Sequence, residues 1–231
     1  GVHQVGLWRR GVDSQKFHPK FRSQAMRERL SNGKPDSLIL LYVGRLSPEK
    51  QIHYLKTVLE QTPNACLALL GGGPKEPELR ELFKDLPVNF VGYLQGQDLA
   101  EAYASADLFM FTSRHEAFGL VLGEAIASGL PVVTTRVGGA EDVVHHGSSG
   151  YIVEVNDVRQ MATYVRELAD DPEKRALMGQ KAREIAETLQ WDDMMRELIY
   201  FYEDVVRTAT GRDPRLTPQE RPKSPLFLPK T

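Results

Sequence analysis

The chain has 231 residues, a formal net charge of −2 at pH 7, 41% hydrophobic residues and 26% charged residues. These values are typical of a globular protein that buries a substantial core. A nearly neutral chain gives no support to non-specific nucleic-acid binding, which requires a basic surface. The single cysteine, Cys66, excludes an internal disulfide bond, and no apolar run reaches the roughly 18 residues that span a bilayer.

Short apolar runs alternate with amphipathic stretches from residue 38 to residue 153. Strands that are apolar on both faces and separated by helices indicate a parallel sheet covered on both sides. With right-handed crossovers, the predicted fold class is α/β, a Rossmann-like doubly wound parallel sheet. The predicted strands lie at residues 38–43, 66–70, 88–91, 107–111, 131–135 and 150–153, and the predicted helices between them lie near residues 52–61, 76–83, 98–106, 120–128 and 139–145.

The C-terminal part of the chain is predicted to be helical and then irregular. Helices are expected at residues 157–169, 172–188 and 191–209. The tail after residue 210 holds five of the 14 prolines and has little periodicity, so it is expected to be disordered. The predicted organisation is an interdomain linker at residues 1–36 with a helix near residues 23–30, a Rossmann-like domain at 37–190, a C-terminal helix at 191–210 and a tail at 211–231.

The loop after the first predicted strand carries two cations. Gly44 ends the strand and allows a ligand to approach the backbone, and Arg45 and Lys50 follow it. Doubly wound sheets bind ligands at the carboxyl ends of their strands. Two fixed cations at that edge are well placed to neutralise a diphosphate. The alternative is that both side chains are solvated surface charges.

Two further loops contain glycine turns. Residues 71–74 (GGGP) resemble a phosphate-binding turn but lack the third glycine of the dinucleotide fingerprint, and the sequence contains no P-loop. By itself this run predicts a tight turn. The turn at residues 92–94, which ends in Leu94, could receive a flat base through its backbone groups or be a plain strand exit.

Two glutamates flank the turn between the fourth strand and the next helix. Glu116 is expected in the loop, and Glu124 about one turn inside the helix. The backbone N–H groups around Gly119 and Leu120 are placed to bind an anion, helped by the helix dipole. Glu124 lies among apolar residues, and burying it without a partner would be costly. A ribose diol would supply that partner; the alternatives are solvent exposure or an arginine partner.

No side-chain pattern points to a metal ion. The sequence has no His, Cys and Asp cluster with metal-ligand spacing and no Asp-x-Asp pair. His115 is expected to be an exposed loop residue rather than a catalytic one. Gly138 and Gly139 are expected to form a close-packed turn that lines the same crevice as Glu116.

Taken together, these motifs resemble those of the family-four retaining glycosyltransferases. The resemblance extends from about Trp8 to about Arg207. It implies the C-terminal, nucleotide-sugar-binding half of an enzyme with the two-domain GT-B fold. The matching motifs are VGRLxxxK at residues 43–50, GxGP at 71–74, AD at 106–107, and Glu116-x7-Glu124 followed by AxAxGxPVV at 125–133.

The resemblance implies a role for each candidate residue. Arg45 and Lys50 would bind the donor diphosphate, and with Glu116 they would carry catalysis. Glu116 would contact the donor sugar, and Glu124 would hold the nucleotide ribose. No metal or other cofactor is implied, because the nucleotide diphosphate sugar is a substrate. The remaining donor-binding positions would be Gly44, Leu94 and the backbone at Phe118, Gly119 and Leu120.

Shorter segments resemble the sulfolipid synthases within that family. These segments are WRRGVD at residues 8–13, LQGxxL at 94–99 and AYASAD at 102–107. They imply UDP-sulfoquinovose as donor and diacylglycerol as acceptor. Ala117 and Gly123 depart from the pattern of that subgroup and leave the sugar and the acceptor open. The alternatives are a GDP-mannose- or UDP-glucose-dependent lipid glycosyltransferase, a sugar-nucleotide epimerase, and a non-catalytic nucleotide-sugar-binding module.

The resemblance also implies partners for the chain. The acceptor site would lie in an N-terminal domain absent from these 231 residues, and the start at Gly1 is typical of the interior of a longer chain. The helix at residues 191–209 would pack across that domain or be a simple core helix. Alone, the chain is expected to bind donor without transferring sugar. A lipid acceptor implies a peripheral membrane or cytoplasmic location, and the chloroplast envelope in a photosynthetic eukaryote.

Overall fold

The computed structural model describes residues 11–116 and 119–210, with side chains up to residue 208. The expectations for Phe118, for residues 1–10 and for the tail at 211–231 lie outside the described residues. The described residues form two compact units, one of residues 13–188 and one of residues 11–12 with 189–210. The first unit contains the sheet and the candidate site.

Six strands of the first unit form one sheet. They are β1 (Leu38–Val43), β2 (Ala65–Leu70), β3 (Val88–Gly92), β4 (Leu108–Phe111), β5 (Val132–Thr135) and β6 (Gly150–Val153). Their order across the sheet is β3-β2-β1-β4-β5-β6, and every neighbouring pair is parallel. The six predicted strands are confirmed, with ends that differ by at most one residue.

Helices cover the sheet and follow it along the chain. They are α1 (Gln24–Leu30), α2 (Leu55–Glu60), α3 (Glu76–Leu82), α4 (Gly96–Ser105), α5 (Leu120–Ala127), α6 (Ala140–Val143), α7 (Val158–Asp170), α8 (Pro172–Thr188) and α9 (Trp191–Thr210). Side-chain caps fix two of the starts: the Ser23 hydroxyl accepts from Met26 N, and the Asp157 carboxylate accepts from Gln160 N.

Two predicted helices are shorter than expected. Residues 52–61 form a 3-10 turn at Ile52–Tyr54 and then α2, after Gln51 has adopted a left-handed conformation with φ of 48°. Helix α6 ends at Val143 instead of residue 145. The reason is local: the backbone N–H of His145 donates to Ser149 Oγ at 2.8 Å, which turns the chain towards β6.

The segment predicted as a linker packs onto the sheet unit from residue 13 onward. Its helix α1 lies against α4. The buried side chain of Arg27 donates to both carboxylate oxygens of Asp107, at 2.9 and 3.1 Å. The same guanidinium also donates to backbone carbonyls, those of Pro35, Ser37 and Ser105. This network ties α1 to the loop that leads into β4.

The strand order defines a crevice at one edge of the sheet. From β1 the chain adds β2 and β3 on one side, and it then returns to place β4, β5 and β6 on the other. Adjacent β1 residues such as Leu40 and Leu41 point to opposite faces and are both fully buried. The predicted Rossmann-like doubly wound fold is therefore confirmed. The loops after β1 and β4 diverge at the switch point, where such sheets bind ligands.

The second unit consists mainly of α9. Within it, the backbone N–H of Val12 donates to Leu189 O at 2.7 Å. Helix α9 exposes a row of apolar side chains at Met195, Ile199, Tyr202 and Val206. Its packing across a further domain stays a prediction. Among the described helices, none is both long enough and apolar enough to cross a membrane.

Candidate functional site

The loop after β1 is held by backbone bonds to the loop after β2. Gly44 N donates to Leu70 O at 2.9 Å, and Leu46 N donates to Gly72 O at 3.0 Å. The hydroxyl of buried Tyr42 donates to the carbonyl oxygen of Arg45 at 3.0 Å. The Arg45 side chain itself is exposed. The backbone is thus fixed while the guanidinium remains available to a ligand.

Gly71 explains how these two loops approach each other. Its φ is +123°, and a Cβ atom at this position would lie 2.1 Å from the carbonyl oxygen of Gly44. Only glycine fits there. The sequence predicted a tight turn, but it did not predict that the turn supports the neighbouring loop. The run of three glycines was the available signal.

Lys50 is positioned from the opposite side of the switch point. The Thr112 hydroxyl, which follows β4, donates to the carbonyl oxygen of Lys50 at 2.6 Å. The backbone N–H of Arg114 donates to Glu49 O at 2.8 Å. These bonds join the loop after β1 to the loop after β4, so the segments that carry Lys50 and Glu116 are held together.

The two side chains form a direct ion pair. Lys50 Nζ lies 2.8 Å from Glu116 Oε2, and each side chain is less than one-fifth exposed, at 18% and 19%. The ammonium also lies 5.4 Å from the centre of the Phe111 ring. Sequence reasoning placed both residues in the site but assigned them to different parts of a ligand. It did not predict that they pair with each other.

Glu116 lines a cavity of about 550 Å³ at the ends of β4 and β5. As predicted, His115 is an exposed loop residue, and Gly138 lines the same crevice as Glu116. The other lining residues are Arg114, Arg136 and Val137. Arg136 is paired with Glu141 and with Glu154. The cavity therefore mixes both signs of charge, which suits a polar, hydroxyl-rich ligand.

The turn before α5 has the predicted form. Gly119 adopts a left-handed conformation with φ of +56°, and α5 begins at the next residue, Leu120. The carbonyl oxygen of Gly119 accepts from Leu122 N at 2.8 Å, in the first turn of the helix. The start of α5 lies next to the loop that carries Glu116, as the sequence indicated.

Glu124 has a partner that the sequence did not predict. The hydroxyl of Tyr103, on α4, donates to Glu124 Oε2 at 2.7 Å. Burial raises the pKa of the Glu124 carboxyl, whereas the bond from Tyr103 and the charge of Lys16 lower it. The partial burial expected for Glu124 is confirmed, and the partner is a tyrosine rather than the arginine considered as an alternative.

A second cavity, of about 500 Å³, lies at the ends of β1, β2 and β3. It is lined by Gly44, Arg45 and the glycine loop, and Leu94 and Leu99 close its other side. Tyr93 borders the cavity and is 75% exposed. The turn at residues 92–94 is therefore more than a strand exit, since it forms a wall of a concave site.

The described residues contain no group of three or more His, Cys, Asp and Glu side chains that could hold a metal ion. The expectation that the reaction needs no metal stays a prediction. Arg45 and Lys50 are the cations at the carboxyl edge that we expected to face a diphosphate. The structure brings their loop together with Glu116, and it separates the two cavities by that junction.

This combination of fold and site defines a class of protein. A doubly wound parallel sheet with two cavities at its carboxyl edge, and with cations and carboxylates at the switch point, is the Rossmann-like half of a GT-B glycosyltransferase. The sequence supports the same assignment. The family model "Glycosyl transferases group 1" matches residues 25–185, and the chain belongs to that family.

Individual proteins resemble the chain over most of its length. The sulfoquinovosyl transferase SQD2 of Arabidopsis thaliana is 44% identical over 193 residues, which are 82% of this chain and 38% of the relative. Sucrose-phosphate synthase from Thermosynechococcus elongatus superposes with a TM-score of 0.78 and 27% identity, covering 90% of this chain and 54% of that one. Anabaena HepE in complex with UDP-glucose gives 0.74 and 26%, covering 84% and 56%. The chain thus spans about half or less of the proteins it matches.

Proposed function

We propose that the chain is the donor-binding part of a retaining glycosyltransferase that uses a nucleotide diphosphate sugar. The observation that carries this proposal is the junction of the loops after β1 and β4. There the Lys50 ammonium lies 2.8 Å from the Glu116 carboxylate, between two cavities. One cavity suits a nucleotide and the other suits a sugar, and the diphosphate that links them would cross the junction.

Each residue has a role in this proposal. The cations Arg45 and Lys50 bind the diphosphate, and the N–H groups at Phe118, Gly119 and Leu120 add donors from the start of a helix. Glu124 accepts hydrogen bonds from the ribose hydroxyls. Glu116 contacts the donor sugar. The backbone at Gly44 and Leu94, which both line the second cavity, contacts the nucleoside.

The proposed chemistry follows from the placement of charge. Breaking the bond between the sugar and the diphosphate leaves negative charge on the departing oxygen. Fixed cations and helix N–H groups around that oxygen stabilise the transition state more than the ground state. Lys50 must leave Glu116 to do so, and Glu116 is then available to a sugar hydroxyl. No step in this scheme uses a metal ion.

The proposed donor is UDP-sulfoquinovose and the proposed acceptor is diacylglycerol. The support is the 44% identity to a sulfoquinovosyl transferase together with the segments at residues 94–99 and 102–107. Such an acceptor would bring the reaction to a membrane surface. We further propose that the acceptor site lies in a domain outside this chain, so that the chain alone binds the donor without transferring its sugar.

The test is a transfer assay with the full-length protein and the 231-residue chain side by side. Donors are UDP-sulfoquinovose, UDP-glucose and GDP-mannose, each with diacylglycerol in mixed micelles. The proposal predicts product from UDP-sulfoquinovose with the anomeric configuration retained, and none from the chain alone. Product from another donor would correct the sugar. An inverted product, or binding without turnover by the full-length protein, would overturn the enzymatic role.

A further inference from the structure

Tyr103 is a fully buried residue whose hydroxyl reaches the candidate site. It lies on α4, and its ring packs edge-on against Phe17 at 5.5 Å between ring centres and against Phe109 at 5.6 Å. The hydroxyl donates to Glu124 Oε2 at 2.7 Å. The apolar part of the ring would be satisfied equally well by phenylalanine. The hydroxyl therefore needs an explanation other than packing.

The acceptor of this hydrogen bond is the carboxylate that we assign to the ribose. Glu124 lies in α5, among the buried side chains of Leu122, Ala125 and Ile126. Within residues 11–116 and 119–210, its Oε2 accepts from Tyr103, whereas no hydrogen bond to Oε1 is found. One oxygen is thus held by the protein and the other remains for a ligand.

A glutamate side chain has several rotatable bonds, and ordering it on ligand binding reduces affinity. A donor that fixes the carboxylate beforehand removes that loss. The Tyr103 ring is well suited to this task because it is itself immobilised by two aromatic neighbours. Burial also keeps the hydroxyl protonated, since it raises the pKa of Tyr103 well above its ordinary value.

We propose that Tyr103 is a positioning residue for nucleotide recognition: its hydroxyl holds Oε2 of Glu124 so that Oε1 accepts hydrogen bonds from the ribose hydroxyls. This inference rests on the proposed function, because it takes the ligand of Glu124 to be a ribose. It adds a residue from α4, outside the loops at the carboxyl edge. It also gives a reason for tyrosine rather than phenylalanine in a fully apolar ring environment.

The experiment compares two ligands that differ only at the ribose, UDP and 2′,3′-dideoxy-UDP. Calorimetric titrations are made with the 231-residue chain and its Tyr103→Phe variant. We expect the unmodified chain to bind UDP about tenfold more tightly than the dideoxy compound, the effect of hydrogen bonds to a charged group. In Tyr103→Phe, affinity for UDP should fall about fivefold to tenfold, while affinity for the dideoxy compound should change less than about twofold.

Tyr151→Phe is the matched control. The Tyr151 hydroxyl also donates to a glutamate, Glu167, at 2.9 Å, but on β6 and α7 away from the site. This variant should leave both affinities unchanged. A Tyr103→Phe variant that keeps the full preference for UDP, or that loses affinity for both ligands equally, would overturn the positioning role. Equal binding of both ligands by the unmodified chain would instead remove the ribose from Glu124, and the proposed function would need revision there.

Discussion

The ammonium group of Lys50 lies 2.8 Å from the carboxylate of Glu116, and the pair joins the loop after β1 to the loop after β4. Both side chains are largely shielded from solvent, so the attraction between them is stronger than in a surface pair. In the proposed function Lys50 binds the donor diphosphate. Donor binding must therefore replace one anionic partner of Lys50 with another.

This exchange makes a prediction for Glu116→Gln. The substitution removes the competing carboxylate and its repulsion of the diphosphate, so affinity for UDP should rise by about threefold to tenfold. Transfer by the full-length protein should fall, because the sugar loses its contact with Glu116. Calorimetry and a transfer assay measure the two effects. Weaker UDP binding in this variant would contradict the exchange.

The two cations should matter more than any other basic residues. In the full-length protein, Arg45→Ala and Lys50→Ala should each lower kcat/KM by about 100-fold or more, because each removes charge stabilisation of the departing diphosphate. Arg159→Ala, at an exposed position on α7, is the control and should retain normal turnover. Near-normal turnover in both site variants would refute the diphosphate role.

The ionisation of Glu124 should control ribose recognition. Burial raises the pKa of its carboxyl, and Tyr103 and Lys16 oppose that rise. Above this pKa the carboxylate accepts hydrogen bonds from the ribose. As the pH falls through the pKa the group takes up a proton, and the preference for UDP over 2′,3′-dideoxy-UDP should decrease. The ratio of the two dissociation constants cancels phosphate titration, and in Glu124→Gln it should not vary with pH.

The stability of the sheet unit should depend on a buried ion pair remote from the site. Arg27 is 9% exposed and donates to Asp107 and to three backbone carbonyls. Arg27→Ala leaves these acceptors without a donor and should lower the free energy of unfolding by about 3–5 kcal/mol. Arg166→Ala removes an exposed pair with Asp170 and should cost less than about 1 kcal/mol. Urea denaturation measures both, and equal effects would contradict the account.

The sequence was sufficient to predict the sheet. Runs such as residues 38–43 and 150–153 are apolar at every position and end at glycine or polar residues, so their strand character needs no tertiary information. The helix predicted at residues 52–61 was partly wrong, because the left-handed turn at Gln51 imposes a 3-10 turn first. The role of residues 13–36 was also missed, since it depends on a contact between Arg27 and Asp107, eighty residues apart.

The candidate site was predicted by position rather than by contact. Placing Arg45, Lys50 and Glu116 after neighbouring strands requires only the order of the elements. Predicting that Lys50 pairs with Glu116, or that Tyr103 reaches Glu124, requires the distances between side chains from different loops and helices. Tyr103 in particular lies in a helix whose sequence reads as ordinary core, and nothing in its spacing marks the hydroxyl as functional.

The most direct test of the central claim is a calorimetric titration of the 231-residue chain with UDP, repeated with the Lys50→Ala variant. The account predicts saturable one-to-one binding to the unmodified chain and a loss of affinity of at least about tenfold in the variant, because a charge-assisted contact to the diphosphate disappears. Absence of UDP and GDP binding, or UDP binding that Lys50→Ala leaves unchanged, would contradict it.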